Sequence, residues 1–488
     1  MFIALFVLLF AVTGDILQPR WFGAWMSTAN VRGIYDLPPN TVDAVALGPS
    51  SCVRSFSPLE LFLEYGISAY NAGTEQQPIM TSYYLLKEII KNQSIKVVFL
   101  ETVGLFRSND PAFYRKVYDN LKLSKDKIEA VLSYSQYSGA DSVFSFITPY
   151  IKYHANWKNL TEPQFAPFDA DDYPLWHHGF VIDKGQSGKE KTGYTGEEQD
   201  RATFIGERLY YLEQIDELCR ANNIRLVLYR CVSTDQWSAG MHNATQDWAS
   251  QHKRELYDFN TQSVMEAAGL KNELDNAGGS HNNVFGAIKT TRYLGKLITD
   301  TQAFEDRRKD PTCFYLRAMA APYAREVRNA KLQVEKDMSE YLVALSYGDN
   351  RDNYTVFFTV RDEASSKIGD ALKATLVDCG FMTDFADKYR HSFIGVMEGG
   401  KVIYERLADD RQEKLAYEGT TRDGTAYAIE SAGMEAGDIS SVILNSGSNM
   451  SKNLRGFNVV VYDNVTHRVI DSVNWDSFAE EGGGNARR

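Results

Sequence analysis

The sequence has too little cysteine for a disulfide framework. Its five cysteines, Cys52, Cys219, Cys231, Cys313 and Cys379, are odd in number, widely spaced and free of any CxxC pair, so neither a disulfide scaffold nor a zinc site is implied. Basic surface is also scarce. The formal net charge is −12 at pH 7, and no Lys/Arg-rich stripe interleaved with aromatics offers the phosphate-neutralising footprint that nucleic acid needs. Nucleic acid is therefore excluded as a partner, and no metal or cofactor is expected. Low complexity is confined to Glu480 to Gly484, and 44% hydrophobic with 24% charged residues is the make-up of ordinary folded domains.

A long spanning run is missing too. Met1 to Thr13 (MFIALFVLLFAVT) is apolar and uncharged, but Gly14 and Asp15 close it before the roughly 20 residues a spanning helix needs. It also lacks a basic leader. A run this apolar is expected to enter a bilayer, which makes residues 1–14 an anchor whose true start could lie upstream. The chain would then be held outside the cytoplasm at the membrane. The alternative is a signal peptide that is removed, leaving a secreted protein.

At 488 residues the chain exceeds the roughly 250 to 300 residues at which single cores stop growing, so two domains are expected. Val42 to Leu47 is a short apolar run that ends in Gly48-Pro49-Ser50-Ser51 and is followed by a helical pattern from Pro58. Ser68 to Asn71 leads into the helical Ile79 to Asn92, and Val97 to Leu100 has the composition of a buried strand. Ala202 to Asn222 is helical before the strand Ile224 to Tyr229; a strand at Leu256 to Phe259 and a helix from Gly286 to Asp300 complete the half. Strands alternating with helices predict an α/β domain over residues 30–300, a parallel sheet between two helical layers. Residues 301–348 are charged and helical, with a break at Asp310-Pro311 and one amphipathic run from Glu326 to Leu345, and are expected to be a spacer. Beyond Asp349, short β-runs at Tyr354 to Val360, Ser392 to Met397, Val402 to Leu407, Ala426 to Glu430, Ser441 to Leu444, Phe457 to Asp463 and Arg468 to Val473, with one helix, Ala364 to Cys379, predict a β-rich α+β domain to residue 478 and a flexible tail over 479–488.

A serine in a G-x-S turn between strand and helix lies at the carboxyl edge of the sheet, where open α/β sheets bind ligands. Ser50 fits that place. It is a weak nucleophile at its free pKa and needs a histidine base oriented by a carboxylate. His281, just before the last helix of this half, and Asp275 are the available pair. The same residues also have a bland reading, Gly-Pro-Ser-Ser as a turn and His281 as a cap for that helix.

The stretch Asp43 to Ser51, with Ser57 to Leu61, Tyr70 to Thr74, Gln77-Pro78 and Tyr83 to Glu88, resembles the N-terminal half of SGNH/GDSL-type hydrolases of the D-alanyl transfer and alginate O-acetylation group. Tyr153 to Trp157, His281 to Ala287 and Tyr293 to Gly295 resemble the same group. The resemblance implies an SGNH-type three-layer α/β/α domain in which Ser50 is nucleophile, His281 base and Asp275 the orienting carboxylate. It implies an oxyanion hole built from the amides of Ser50 and Gly73, with Asn71 and Gln77 as side-chain candidates, and a substrate cleft lined by His154 and Trp157. Three departures stand out: Asp275 lies six residues before His281 where the group has Asp-x-x-His, Pro49 and Ser51 stand where relatives often carry Ser and His, and the group's oxyanion asparagine has no clear counterpart beyond the candidates Asn71 and Gln77.

Residues 349–478 resemble the interleukin-like EMT inducer domain, through Thr355 to Glu363, Ser392 to Ile394, Tyr427 to Gly433, Arg455 to Asp463 and Val469 to Val473. Relatives of that module occur as secreted factors and as the stem domain of an O-mannose N-acetylglucosaminyltransferase, where it recognises sugar. Together the resemblances imply acyl transfer or deacylation, of acetyl above all, on a cell-surface polysaccharide, with a membrane-bound O-acyltransferase as partner. The alternative is a non-catalytic glycan-binding or scaffolding protein of an envelope assembly.

Overall fold

The structure, a computed structural model, describes residues 2–19, 27–107, 110–138, 143–161, 165, 177–191, 199–234 and 236–488. Met1 of the expected anchor, and residues 108–109, 139–142, 162–164, 166–176, 192–198 and 235 of the expected α/β domain, lie outside the described residues. The chain divides into two compact units, Met1–Tyr323 and Ala324–Arg488.

The first unit is built on a five-stranded parallel sheet. Its strands are β1 (Ala44–Leu47), β2 (Ala69–Asn71), β3 (Val97–Glu101), β4 (Arg225–Arg230) and β5 (Glu255–Asp258), in the order β2-β1-β3-β4-β5. β1 is four consecutive apolar residues, AVAL, all fully buried. That is the pattern of a central parallel strand covered on both faces. Because side chains alternate along a strand, Val45, Leu47, Val98, Leu100, Leu226 and Leu228 pack into one core, while Ala44, Ala46, Val97, Phe99, Val227 and Tyr229 pack into another. Helices Ile79–Ile89, Arg208–Ala221 and Ala239–His252 cover the first face; Pro58–Tyr65 and Val284–Thr299 cover the second. Local signals set the ends of these helices. Pro58–Tyr65 begins after Ser57, whose hydroxyl accepts from Glu60 N–H, has Pro at its first position and stops at Gly66 in the left-handed region.

The expected spacer over 301–348 is not one. Arg307 grips the fully buried Asp43 carboxylate with two hydrogen bonds of 2.9 and 3.1 Å, just upstream of β1, and the Tyr323 hydroxyl lies 3.0 Å from Ser57 Oγ and 3.2 Å from Glu60 Oε2. The unit boundary falls inside helix Phe314–Val334. A second helix, Met338–Tyr347, starts where Asp337 caps Glu340 N–H, so the single run expected over Glu326 to Leu345 is broken in two.

The second unit carries β8 (Tyr354–Asp362), β9 (Phe393–Glu398), β10 (Lys401–Leu407), β11 (Leu415–Thr420), β12 (Ala426–Gly433), β13 (Ile439–Leu444), β14 (Gly456–Asp463) and β15 (Arg468–Trp475); the numbers β6 and β7 belong to Asn276–Gly278 and His281–Asn282, a two-stranded hairpin of the first unit. β8 is the hub, antiparallel to β9 and β14 and briefly parallel to β12. The sheet curls far enough for Tyr404 of β10 and Tyr417 of β11 to stack with ring centroids 3.7 Å apart. One face packs Val356, Phe358, Val459, Val461 and Trp475 with Tyr341, Leu342 and Leu345 of helix Met338–Tyr347. The amphipathic pattern there reflects burial in this core. The expected flexible tail is also tied down: Arg487 pairs by backbone with Asn474, and Arg488 reaches the Asp471 carboxylate and the Leu332 carbonyl. Helix Asp370–Asp378 is shorter than the expected Ala364 to Cys379.

Candidate active site

The strand order reverses direction at β1, which opens a crevice at the carboxyl ends of β1 and β3. The chain leaves β1 through Gly48, whose φ is +147° and where a Cβ would lie 2.7 Å from Glu101 Cβ. Glycine alone fits that approach. Pro49 then sits ahead of helix Ser50–Ser55, so Ser50 opens the helix, half-buried, at the crevice. Its N–H is among those that a helix start leaves without an intrahelical acceptor.

His281 arrives from the far end of the domain on β7. The β6–β7 hairpin pairs Gly278 with His281, and Asn283 caps the following helix through Phe285 and Gly286 N–H. Asn283 also donates to the carbonyls of Gly185 and Leu274, at 2.8 and 2.6 Å, which fixes the base of the hairpin. The result is a 2.9 Å contact between Ser50 Oγ and His281 Nε2, across 231 residues of sequence.

Beneath them lies a fully buried ion pair. Glu101 closes β3 and Arg230 closes β4; they meet at 2.5 Å, both side chains with no solvent exposure. Arg230 donates onward to Ser280 Oγ at 2.8 Å, Ser280 donates to Gln236 Oε1 at 2.9 Å, and Cys231 Sγ donates to the Ser280 carbonyl. The residue before His281 is thereby held from three sides. Burial pushes the Cys231 thiol up to about 12, so it is no nucleophile at neutral pH.

Burial is also the largest influence on His281 and pushes it down to about 4. The guanidinium groups of Arg54, Arg107 and Arg230 act in the same direction, and Asp183 opposes them. Asp183 is the carboxylate that sequence reading missed. It accepts from Gly185 N–H at 2.9 Å and pairs with Arg54, and its carbonyl accepts from Val284 N–H at 2.7 Å, three residues past His281.

Asp275 does not take the expected orienting role. Its Oδ2 accepts from Lys271 N–H at 2.7 Å and from Lys289 Nζ at 2.6 Å, so its charge is committed to the start of one helix and the flank of another. The expected oxyanion donors other than Ser50 are committed as well. Gly73 N–H donates to Asn71 Oδ1 at 3.1 Å, and Asn71 Nδ2 donates to the carbonyls of Cys52 and Phe56. Gln77 accepts from Gly48 N–H at 2.8 Å and donates to the Ala72 carbonyl. Asn71, Gly73 and Gln77 thus brace the loop that carries Ser50. His154 and Trp157 do not join the site: the cavity over Ser50 and His281, about 830 Å³, is lined by Glu75, Gln76, Phe106, Arg107, Phe113, Ile205, Gln236, Gly279 and Ser280.

Arg54 stands one helical turn after Ser50, a spacing that puts both on one helix face, and could have been read from sequence. Asp183 lies in a loop with no periodic signal. Among the described residues no group of three or more His, Cys, Asp or Glu is placed to hold a metal ion.

No family model matches the chain, and no curated protein matches it significantly. Among solved structures, a Bacteroides fragilis protein provisionally assigned as an acylhydrolase is 12% identical, aligned over 58% of this chain and 99% of its own, with a TM-score of 0.29. A likeness that low carries no argument about function.

Proposed function

We propose that the first unit is an SGNH-type serine acyltransferase or esterase acting through an acyl-enzyme. The observation that carries this is the 2.9 Å contact of Ser50 Oγ with His281 Nε2 at the switch-point crevice of a parallel sheet. In the proposed reaction His281 Nε2 takes the Ser50 proton as Oγ attacks an ester carbonyl. The developing oxyanion is met by the Ser50 N–H. The imidazolium returns the proton to the departing alkoxide, and the acyl group stays on Ser50. An incoming hydroxyl, from water or from a sugar, gives its proton to His281 and takes the acyl group, and His281 returns that proton to the departing Oγ, which restores Ser50 and the neutral imidazole. Asp183, in place of Asp275, supplies the negative charge that favours the imidazolium.

The substrate we favour is a cell-surface polysaccharide carrying O-acetyl groups, outside the cytoplasm, with a membrane-bound O-acyltransferase as the donor partner. The mixed polar and aromatic lining of the cavity suits a sugar ring, and the second unit, through its resemblance to the interleukin-like EMT inducer domain, would hold the polymer.

The test is time-dependent labelling of the purified chain by a fluorophosphonate, with Ser50→Ala and His281→Ala beside wild type. Labelling lost in both variants supports an activated Ser50. A folded wild type that stays unlabelled sinks the enzyme reading and leaves glycan binding, which the internal commitment of Gly73, Asn71 and Gln77 already favours over a full oxyanion hole.

A further inference from the structure

Helix Phe2–Leu17 does not stand alone. It packs on the short helices Pro149–Tyr153 and His154–Asn159, with the Phe10 and Tyr150 rings 4.9 Å apart and Asn156 Nδ2 donating to the Leu17 carbonyl at 3.0 Å. Away from that contact its residues 5, 8, 9 and 12 follow the spacing of one helix face. They are Leu5, Leu8, Leu9 and Val12, exposed by 54, 59, 55 and 47%. The adjoining run leaves Phe144, Ile151 and Trp157 exposed by 69, 48 and 63%. Large apolar side chains gathered on neighbouring helices differ from the single exposed residues normal on a soluble surface.

We propose that helix Phe2–Leu17 and the run 143–159 form one membrane-docking face, which lies in the interfacial layer of an anionic bilayer. Among the described residues no helix is long and apolar enough to cross a membrane. Charge selects the occupant. The chain has 64 acidic residues to 52 basic ones, yet 143–159 holds Lys152 and Lys158, both exposed, and no Asp or Glu. Lys158 Nζ lies 5.6 Å from the centre of the Trp157 ring. An aromatic with lysines at the rim of an apolar face is the arrangement of an interfacial anchor, and the lysines favour anionic headgroups. The inference is independent of the chemistry at Ser50.

The test is flotation of the full chain with vesicles of phosphatidylcholine alone and of phosphatidylcholine with phosphatidylglycerol. Stronger, salt-sensitive flotation with the anionic vesicles is expected. Leu8→Asp and Ile151→Asp should each cut it by about tenfold, with the thermal midpoint of the protein unchanged. Should Ile151→Asp fail to fold, wild type and Trp157→Phe are compared for quenching by brominated lipid, and the difference reports Trp157 in the bilayer. Flotation indifferent to Ile151→Asp, or no quenching of Trp157, overturns the shared face and leaves a simple N-terminal tether. No flotation at all, with a dimer that Leu8→Asp dissolves, overturns the membrane in favour of a second copy.

Discussion

Acidifying the medium should leave Ser50 reactive toward a fluorophosphonate well below the pH at which an exposed Ser–His pair fails. The base must be neutral to accept the serine proton. Burial and the cations Arg54, Arg107 and Arg230 hold His281 at about 4, against Asp183. At about pH 5.5 such a group is ~97% neutral, whereas an imidazole at the ordinary 6.5 is ~9% neutral, a roughly tenfold difference in the reactive form. The assay is the second-order labelling rate from about pH 4 to about pH 8 at constant ionic strength, with Ser50→Ala as the blank. The rate should be flat to about pH 5 and fall by half near 4. A half-point near 6.5 would refute the reasoning, because it would mean that the reactive imidazole is solvated. Arg54→Met removes one of the cations and releases Asp183 from its pair, so its half-point should move up.

Asp183→Asn should slow labelling and shift its half-point to lower pH, since Asp183 is the carboxylate that raises His281; Asp275→Asn should leave the rate within about twofold and lower stability by about 1 to 3 kcal/mol through its lost hydrogen bonds, as urea titration would report. Glu101→Gln should cost about 3 to 5 kcal/mol because it leaves Arg230 buried without its counter-charge, and adding Arg230→Met should recover part of that loss in the same urea assay. Folding stability should decline as the pH falls from about 6.5 to about 4, by about 3 kcal/mol for His281 alone, and His177 and His178, also held at about 4 by burial, act in the same direction. The sign is fixed by linkage: the unfolded chain takes up the protons first, so a stability that rose through this window on acidification would contradict the buried, neutral imidazoles.

The sheet of the first unit was legible because its strands are continuous apolar runs between turn residues, and β1, β3 and β4 fall within a residue or two of where the pattern puts them. Ser50 was legible from the Gly48-Pro49-Ser50 turn, and His281 from its place before the final helix. β11 was missed because LAYEGT, with Glu418 and Gly419, has weak strand preference; its six pairings with β12 impose the conformation. The break between Val334 and Met338 was missed because the apolar period continues through it, while the cap at Asp337 is a signal of one residue. Asp275 was chosen because it is near His281 in sequence. Its carboxylate instead accepts from Lys271 N–H and Lys289 Nζ, and Asp183, whose charge acts on His281, comes from a loop almost a hundred residues upstream, a proximity that no local pattern encodes.

The charges around His281 also argue for one kind of chemistry over another. An imidazolium forming beside Arg54, Arg107 and Arg230 in a desolvated site is disfavoured, and Asp183, already partnered by Arg54, offsets this only in part. A reaction that left the proton on His281 for long would pay that penalty throughout. In acyl transfer the proton rests there only while negative charge stands on the tetrahedral oxygen, and the cations that oppose the imidazolium favour that oxyanion. The two effects oppose each other within one transition state, and its net charge change is near zero. Proton abstraction to a lasting carbanion would separate them. The buried Glu101–Arg230 pair therefore bears on chemistry as well as on stability, because it fixes one of the cations and, through Ser280, the backbone that carries the base.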